Sequence, residues 1–357
     1  MEPTKFVYRQ ILSTLVVVVV FGIISRLAAL RGTKRKPFPG WLDKSLRLLF
    51  LLHLVFPLAL SFPRIRYMVW AITAMYIPSY LDGSEKQTGR PLRWFQRGWA
   101  FGWISRRMGM KLVRLPECVL SPDKTYVIGL HPHGVLPFGG AVSLNTEVAG
   151  FSKLFPELAG RLRSLAASFC FYIPIYRDMM LAGGMCDAAH YSALRSIPLG
   201  YSVCLVPGGA TEALYAKPGE YTLVLNKRLG FCKLALESGS SLVPAFAFGE
   251  VDAYEVISPN NRFLHSVKSN FQHVCHPPSP AQIFGISLPI LLNVLPRRCS
   301  VTTVLGAPIP VEKNDNPSEE QVRDLLEKYR SALKALFETQ KTSYLAEPYR
   351  NTQLKFV

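Results

Sequence analysis

"RLGFCKLALESGSSLVPAFAFGE", residues 228–250, changes its hydrophobic rhythm halfway along. Leu229 to Gly239 reads as a helix: leucine, lysine, alanine and glutamate favour it, and Gly239 ends it at little steric cost. Leu242–Phe248 is continuously apolar, as a strand buried on both faces reads. A second apolar run, Ser202–Val206, lies upstream. Strand, helix and strand at this spacing predict a parallel βαβ unit with a right-handed crossover. Thr125–Leu130 and Val301–Leu305 read as two further strands. Near the C-terminus, Ser318 and Gln321 form a capping box. Behind it Val322, Leu325, Leu326, Tyr329, Leu333, Leu336 and Phe337 make one apolar face, which predicts a long helix packed on the sheet. The fold class is therefore α/β, a mixed sheet flanked by helices.

The 357 residues include 49% apolar and 18% charged side chains, against about 25% charged in soluble domains. That balance implies a folded domain associated with a membrane. The net charge of +17 fits an anionic membrane surface or a phosphate-bearing ligand. Nucleic acid is set aside, because no finger spacing, basic-region heptad or RNP-like strand occurs. Seven scattered cysteines without a CxxC pair, and the lack of any glycosylation sequon, favour a reduced, cytosol-facing domain.

Three uncharged apolar runs precede residue 82: Gln10–Ser25, Leu48–Pro63 and Tyr67–Leu81. Each falls short of the roughly 20 residues of an upright helical span. The first is read as a retained anchor, since "SRLAALRG" after it is a poor cleavage site. The other two, joined at "RIR", read as a membrane hairpin with Arg64 and Arg66 at its tip. Basic clusters on both flanks assign those flanks to the cytosol. The polar stretch "LDGSEKQTGRP" then divides the chain into a membrane-embedded region, 1–81, and a globular domain, 82–357.

Open α/β sheets carry their active sites beyond the carboxyl ends of strands. "HPHG", residues 131–134, follows the first strand, and "PGGATEAL", residues 207–214, follows the second. His131 and His133 are candidate bases, with Glu212 as a candidate orienting carboxylate. Gly208 and Gly209 are suited to aim backbone N–H groups at an oxyanion. A metal site is not expected: two histidines lack a third ligand nearby, and "HVCH" at 273–276 continues as a loop. The G-x-S-x-G elbow, the Walker loop and GxGxxG are all missing. Residues alone leave a transferase and a hydrolase both open.

Four blocks together resemble the type 2 diacylglycerol acyltransferase family, which includes monoacylglycerol and wax-alcohol acyltransferases. His131-Pro132-His133-Gly134 matches its HPHG block. "PIYRDMMLAGG" (174–184) resembles its Arg-Asp block, and "VPGGATEAL" (206–214) its Pro-Gly-Gly block. Residues 228–250 match the signature R-x-G-F-x-K-x-A-x-x-x-G…VP…FGE. The resemblance runs from about Leu46 to Pro310, and the joint spacing of the blocks is specific. A Tyr-Phe-Pro tripeptide often found before HPHG is replaced here by "MGM" at 108–110. Glycerophospholipid acyltransferases, distant relatives of the family, carry His-x-x-x-x-Asp. Here positions 136 and 138 are Leu and Phe, so the orienting acid must come from elsewhere.

The resemblance implies a glycerophospholipid-acyltransferase-like sheet and transfer of a long acyl chain from acyl-CoA to diacylglycerol, giving triacylglycerol. Monoacylglycerol or a fatty alcohol is the alternative acceptor, and a non-catalytic lipid-binding scaffold the distant one. Acyl-CoA enters as co-substrate, with no cofactor. His133 is expected as the base, with His131 ordering the turn or taking that role itself. Gly134, Gly208 and Gly209 are expected around the oxyanion, and Arg177, Lys227, Arg228 and Lys233 on CoA phosphates. The implied place is the endoplasmic reticulum membrane, its catalytic domain facing the cytosol, and lipid droplets. Membrane lipid is a further partner, and a homo-oligomer is left open.

Overall fold

The computed structural model describes residues 40–61, 64–254, 281–283, 286–288 and 295–357. Its main sheet is built on β2 (Tyr126–His131), which is buried at every position and lies at the sheet's centre. Earlier in the chain comes β1 (Lys111–Arg114). After β2 come β3 (Leu162–Ala166), β4 (Met185–Asp187) and β5 (Ser202–Leu205). A short strand β6 (Tyr221–Leu223) precedes β7 (Ser241–Phe248), and the small antiparallel pair β8 (Ala281–Ile283) and β9 (Ile286–Leu288) precedes β10 (Thr302–Leu305). The seven strands of the sheet run in the order β1-β10-β7-β2-β5-β3-β4. All neighbours are parallel except β10 and β7. Outside that sheet, β6 pairs in parallel with β11 (Leu354–Phe356).

The helices that bear on the site are α1 (Gly40–Ser61), α2 (Arg66–Tyr80), α3 (Trp99–Arg107), α4 (Tyr176–Ala182), α5 (Gly230–Ser238) and α6 (Glu319–Tyr344). The four strands expected from apolar runs are β2, β5, β7 and β10, and the two expected helices are α5 and α6. Strands β5 and β7 flank the predicted crossover helix α5, but β2 lies between them and pairs with both. Strands β1, β3 and β4 escape sequence reading because they are short and carry Lys111, Arg114, Arg163, Ser164 and Asp187 among few apolar residues.

Side chains alternate across the pleat, so each strand feeds two cores. Leu242, Phe246 and Phe248 of β7 join Val127, Val203 and Val304 under α5 and α6. Val243, Ala245 and Ala247 face the other way, with Ile128, Leu130 and Leu305. Helix α6 starts as predicted: Ser318 Oγ accepts from the Gln321 N–H at 3.1 Å, and Gln321 Oε1 accepts from the Ser318 N–H at 2.9 Å. Tyr329 of α6 reaches β2, donating its hydroxyl to the Gly129 carbonyl at 2.8 Å. A Cβ on Gly129 would stand 2.1 Å from that hydroxyl oxygen, so only glycine admits the contact.

Helices α1 and α2 pack on each other across the Arg64–Ile65 turn, with Phe56 and Trp70 ring centroids 6.4 Å apart. Arg64 and Arg66 do stand at the tip of that hairpin. Among the described residues, no helix is long and apolar enough to cross a membrane. Helix α1 begins before the apolar run and carries Asp43, Lys44 and Arg47 in its first turns. The hairpin's outer surface is nevertheless apolar, with Leu49, Phe56, Met68, Ile72 and Met75 exposed. Its root is tied to the globular part by buried ion pairs: Arg47 to Glu85 at 2.8 Å, and Arg177 to the same carboxylate at 2.8 Å. The apolar run Gln10–Ser25 and the "HVCH" segment lie outside the described residues.

Gly129→Ala should cost the detergent-solubilised protein about 1–3 kcal/mol through overpacking against Tyr329. Adding Tyr329→Phe should recover part of that loss, a coupling measurable by chemical denaturation of both single variants and the double. Additive losses would mean that the two groups do not meet.

Candidate active site

Two histidines, two residues apart, end up in different environments because β2 stops between them. His131 is its last residue and has no exposed surface. Its Nε2 lies 3.1 Å from the Tyr329 hydroxyl oxygen. That hydroxyl already donates to the Gly129 carbonyl, so the imidazole must be the donor and carry its proton on Nε2. Its Nδ1 is buried without a partner. Burial pushes the His131 pKa down to about 3, and the ring stays neutral.

His133 sits past the strand end and is half-buried. Its Nδ1 lies 3.0 Å from the Gly134 carbonyl oxygen, which can only accept. The neutral ring therefore carries its proton on Nδ1 and keeps a lone pair on Nε2. That nitrogen makes no hydrogen bond to a described residue. Burial lowers the His133 pKa below the ordinary histidine value.

Glu212 makes no hydrogen bond to either ring. It ends the one-turn helix Gly209–Glu212 after β5, and its buried carboxylate accepts two backbone N–H groups. Oε1 takes that of His133 at 2.7 Å, and Oε2 takes that of Val224 at 2.8 Å. The acid expected on the imidazole instead holds the main chain beneath it, and sequence spacing could not distinguish these two targets. Burial raises the Glu212 pKa to about 7, against the pull of both amides and of Arg228.

The glycines divide by role. A Cβ on Gly208 would fall 2.0 Å from Glu212 Oε2, so this position admits the carboxylate only as glycine. Gly209, at φ +57°, turns the loop and spends its N–H on the Val206 carbonyl at 3.0 Å, which removes it from the expected oxyanion donors. The N–H groups of Gly134 and Gly208 make no hydrogen bond to a described residue.

Glu250 is the residue that the motif reading passed over, although it closes the quoted signature at residues 228–250. Wholly buried after β7, it accepts from the Phe138 N–H at 2.9 Å and the Gly139 N–H at 2.7 Å. Burial raises its pKa to about 8, opposed by those two amides. Its signal in the sequence was a lone acid at the end of a continuously apolar strand.

The four basic candidates separate as well. Arg177 is fully buried and bound to Asp82 at 2.7 Å and Glu85 at 2.8 Å, so the expected reach to a CoA phosphate does not hold. Lys233, on α5, pairs with Glu237 one turn further along the same helix, at 3.6 Å. Arg228 braces the Gly-Gly loop, its guanidinium donating to the Gly208 carbonyl at 3.2 Å and to Thr211 Oγ1 at 3.1 Å. Lys227 beside it is exposed. Among the described residues no three His, Cys, Asp or Glu side chains converge as metal ligands.

Residues 63–356 match the family model described as diacylglycerol acyltransferase. Diacylglycerol O-acyltransferase 2A of Umbelopsis ramanniana is 32% identical over 84% of this chain and 83% of its own. Human 2-acylglycerol O-acyltransferase 3 is 37% identical over 77% of this chain and 82% of its own. Human acyl-CoA wax alcohol acyltransferase 1 is 32% identical over 77% and 84%. A solved 1-acyl-sn-glycerophosphate acyltransferase from Thermotoga maritima aligns with 82% of this chain and 96% of its own, at 13% identity and a TM-score of 0.36.

Arg177→Met leaves Glu85 with one fewer buried partner, so it should destabilise the fold by about 3–5 kcal/mol. In the protein that remains folded, KM for acyl-CoA should be unchanged. A raised KM at unaltered stability would return Arg177 to the substrate site.

Proposed function

The chain belongs to the diacylglycerol acyltransferase family, and from that premise we propose that it transfers a long-chain acyl group from acyl-CoA to the free hydroxyl of diacylglycerol. The observation that carries this reading is the lone pair on His133 Nε2 that no described residue engages, on a loop that Glu212 ties to the Gly-Gly turn, with the N–H groups of Gly134 and Gly208 unspent. His133 Nε2 takes the acceptor's hydroxyl proton as that oxygen attacks the thioester carbonyl. The oxyanion is received by the N–H of Gly134 or Gly208. Collapse expels the CoA thiolate, which takes the proton back from His133, so no covalent enzyme intermediate is required. His131 is not the base: a ring sealed in the core and donating to Tyr329 has no substrate to reach. Lys227 and Arg228, next to the Gly-Gly loop, are assigned to CoA phosphates, Arg228 while bracing that loop.

Diacylglycerol resides in the bilayer, so the site must open toward lipid. The apolar outer surface of the hairpin supports a membrane seat. So do Trp94 and Trp99, which are 72% and 83% exposed near basic Arg93, Arg97, Arg106 and Arg107. We assign the hairpin to the membrane, the globular part to the cytosolic face of the endoplasmic reticulum or a lipid droplet, and the sheet to the glycerophospholipid-acyltransferase kind.

Microsomes bearing the protein and labelled acyl-CoA should form triacylglycerol only when diacylglycerol is added. Preferential labelling of a monoacylglycerol or fatty-alcohol acceptor in the same panel would reassign the acceptor, and free fatty acid without acceptor would indicate a hydrolase. His133→Ala should lower kcat by about 10²–10⁴-fold without releasing the protein from membranes. Because burial lowers the His133 pKa, the basic form persists below the ordinary value of about 6.5. The acidic limb of kcat/KM should therefore lie below pH 6.5.

A further inference from the structure

The loop that carries His133 is held at two ends by two different carboxylates. Glu212 takes the His133 N–H itself. Glu250 takes the N–H groups of Phe138 and Gly139, five and six residues further on. Glu250 also lies against the middle of the loop through its methylene and main chain: a Cβ on Gly134 would stand 3.0 Å from Glu250 Cγ and 3.3 Å from its backbone carbonyl oxygen. Gly139 is held as closely, since a Cβ there would meet Glu250 Oε2 at 2.8 Å and Ala247 Cβ at 2.6 Å. Thr303 Oγ1 donates to the Gly139 carbonyl at 3.4 Å from the neighbouring strand β10.

Gly134 is in the left-handed conformation, at φ +57°, and its carbonyl is the acceptor for His133 Nδ1–H. That carbonyl thereby decides which ring nitrogen keeps a lone pair. We propose that Glu250 is a positioning residue for acyl transfer: by holding the far end of the loop and supporting Gly134 from below, it fixes the tautomer and aim of the His133 ring. It touches neither substrate nor reacting atoms. The inference rests on the reading of His133 as the base.

Burial favours the neutral acid, but N–H groups at 2.9 and 2.7 Å require an acceptor at both oxygens, which only the ionised form supplies, so a carboxylate suits this task better than its amide. Two N–H donors converge on its two oxygens, and a glutamine would present an NH₂ group to one of them. Glu250→Gln should therefore lower kcat by about 10- to 100-fold, the range that follows from a displacement on the order of 1 Å. KM for acyl-CoA and for the acceptor should stay within about twofold, because neither substrate site is touched. Glu250→Asp keeps both acceptor oxygens on a shorter arm and should recover part of kcat. Should the glutamine variant not fold, Glu250→Asp carries the test, with an intermediate kcat expected and an unchanged kcat overturning the proposal. Wild-type kcat in Glu250→Gln overturns it, as does a fall in kcat matched by rising KM with no recovery in Glu250→Asp. His133→Ala assayed beside them separates the two claims. An inactive His133→Ala with an active Glu250→Gln defeats only the positioning role, whereas an active His133→Ala defeats the base assignment.

Discussion

A buried glutamate carboxylate accepting the main-chain N–H of His133 is the interaction on which the rest of the site depends. A buried acid left without donors is costly, and so is a buried amide left without an acceptor. Placing Glu212 between the amides of His133 and Val224 satisfies all three groups at once. The position of the loop beyond β2 thus becomes a property of the core instead of the solvent-facing surface. Gly208 is part of the same solution, because any side chain there would occupy the space that the carboxylate fills. Held in this way, the imidazole needs no acid of its own. The Gly134 carbonyl sets its tautomer, and burial lowers its pKa below the ordinary histidine value.

The neighbouring histidine shows how much one strand end can change. His131 and His133 share a tripeptide, yet His131 belongs to the interface between β2 and α6. There it joins Tyr329, Gly129 and the aromatic packing that runs through Phe231. Its proton sits on Nε2 and is engaged, whereas that of His133 sits on Nδ1 and leaves Nε2 open. One ring fastens the C-terminal helix to the central strand, and the other keeps a nitrogen that no described residue engages.

Much of this was legible before any coordinates. Apolar runs long enough to be buried on both faces identified β2, β5, β7 and β10, and a capping box with a seven-residue apolar face identified α6. The HPHG and Pro-Gly-Gly turns were expected beyond the carboxyl ends of two strands, and the pairing of β2 with β5 brings them together. Three kinds of feature were not legible. Strands such as β3 and β4 are held by neighbours on the sheet, not by their own composition. The target of a carboxylate depends on which donors the fold brings near, so Glu212 could not be assigned to a ring or a backbone from spacing, and Glu250 was not singled out at all. Arg177 read as a phosphate ligand because its partners Asp82 and Glu85 lie more than ninety positions away in the chain. Burial of an arginine is a tertiary fact.

The most direct test is the protonation of the two rings themselves, read by nitrogen NMR of histidine-labelled protein in detergent micelles, with His133→Gln to assign the signals. The geometry requires opposite neutral tautomers at pH 7, His133 protonated on Nδ1 and His131 on Nε2. It also requires His131 to remain neutral down to pH 5. Finding the same tautomer at both positions, or a His131 that titrates near pH 6.5, would contradict this account of how the fold selects its base.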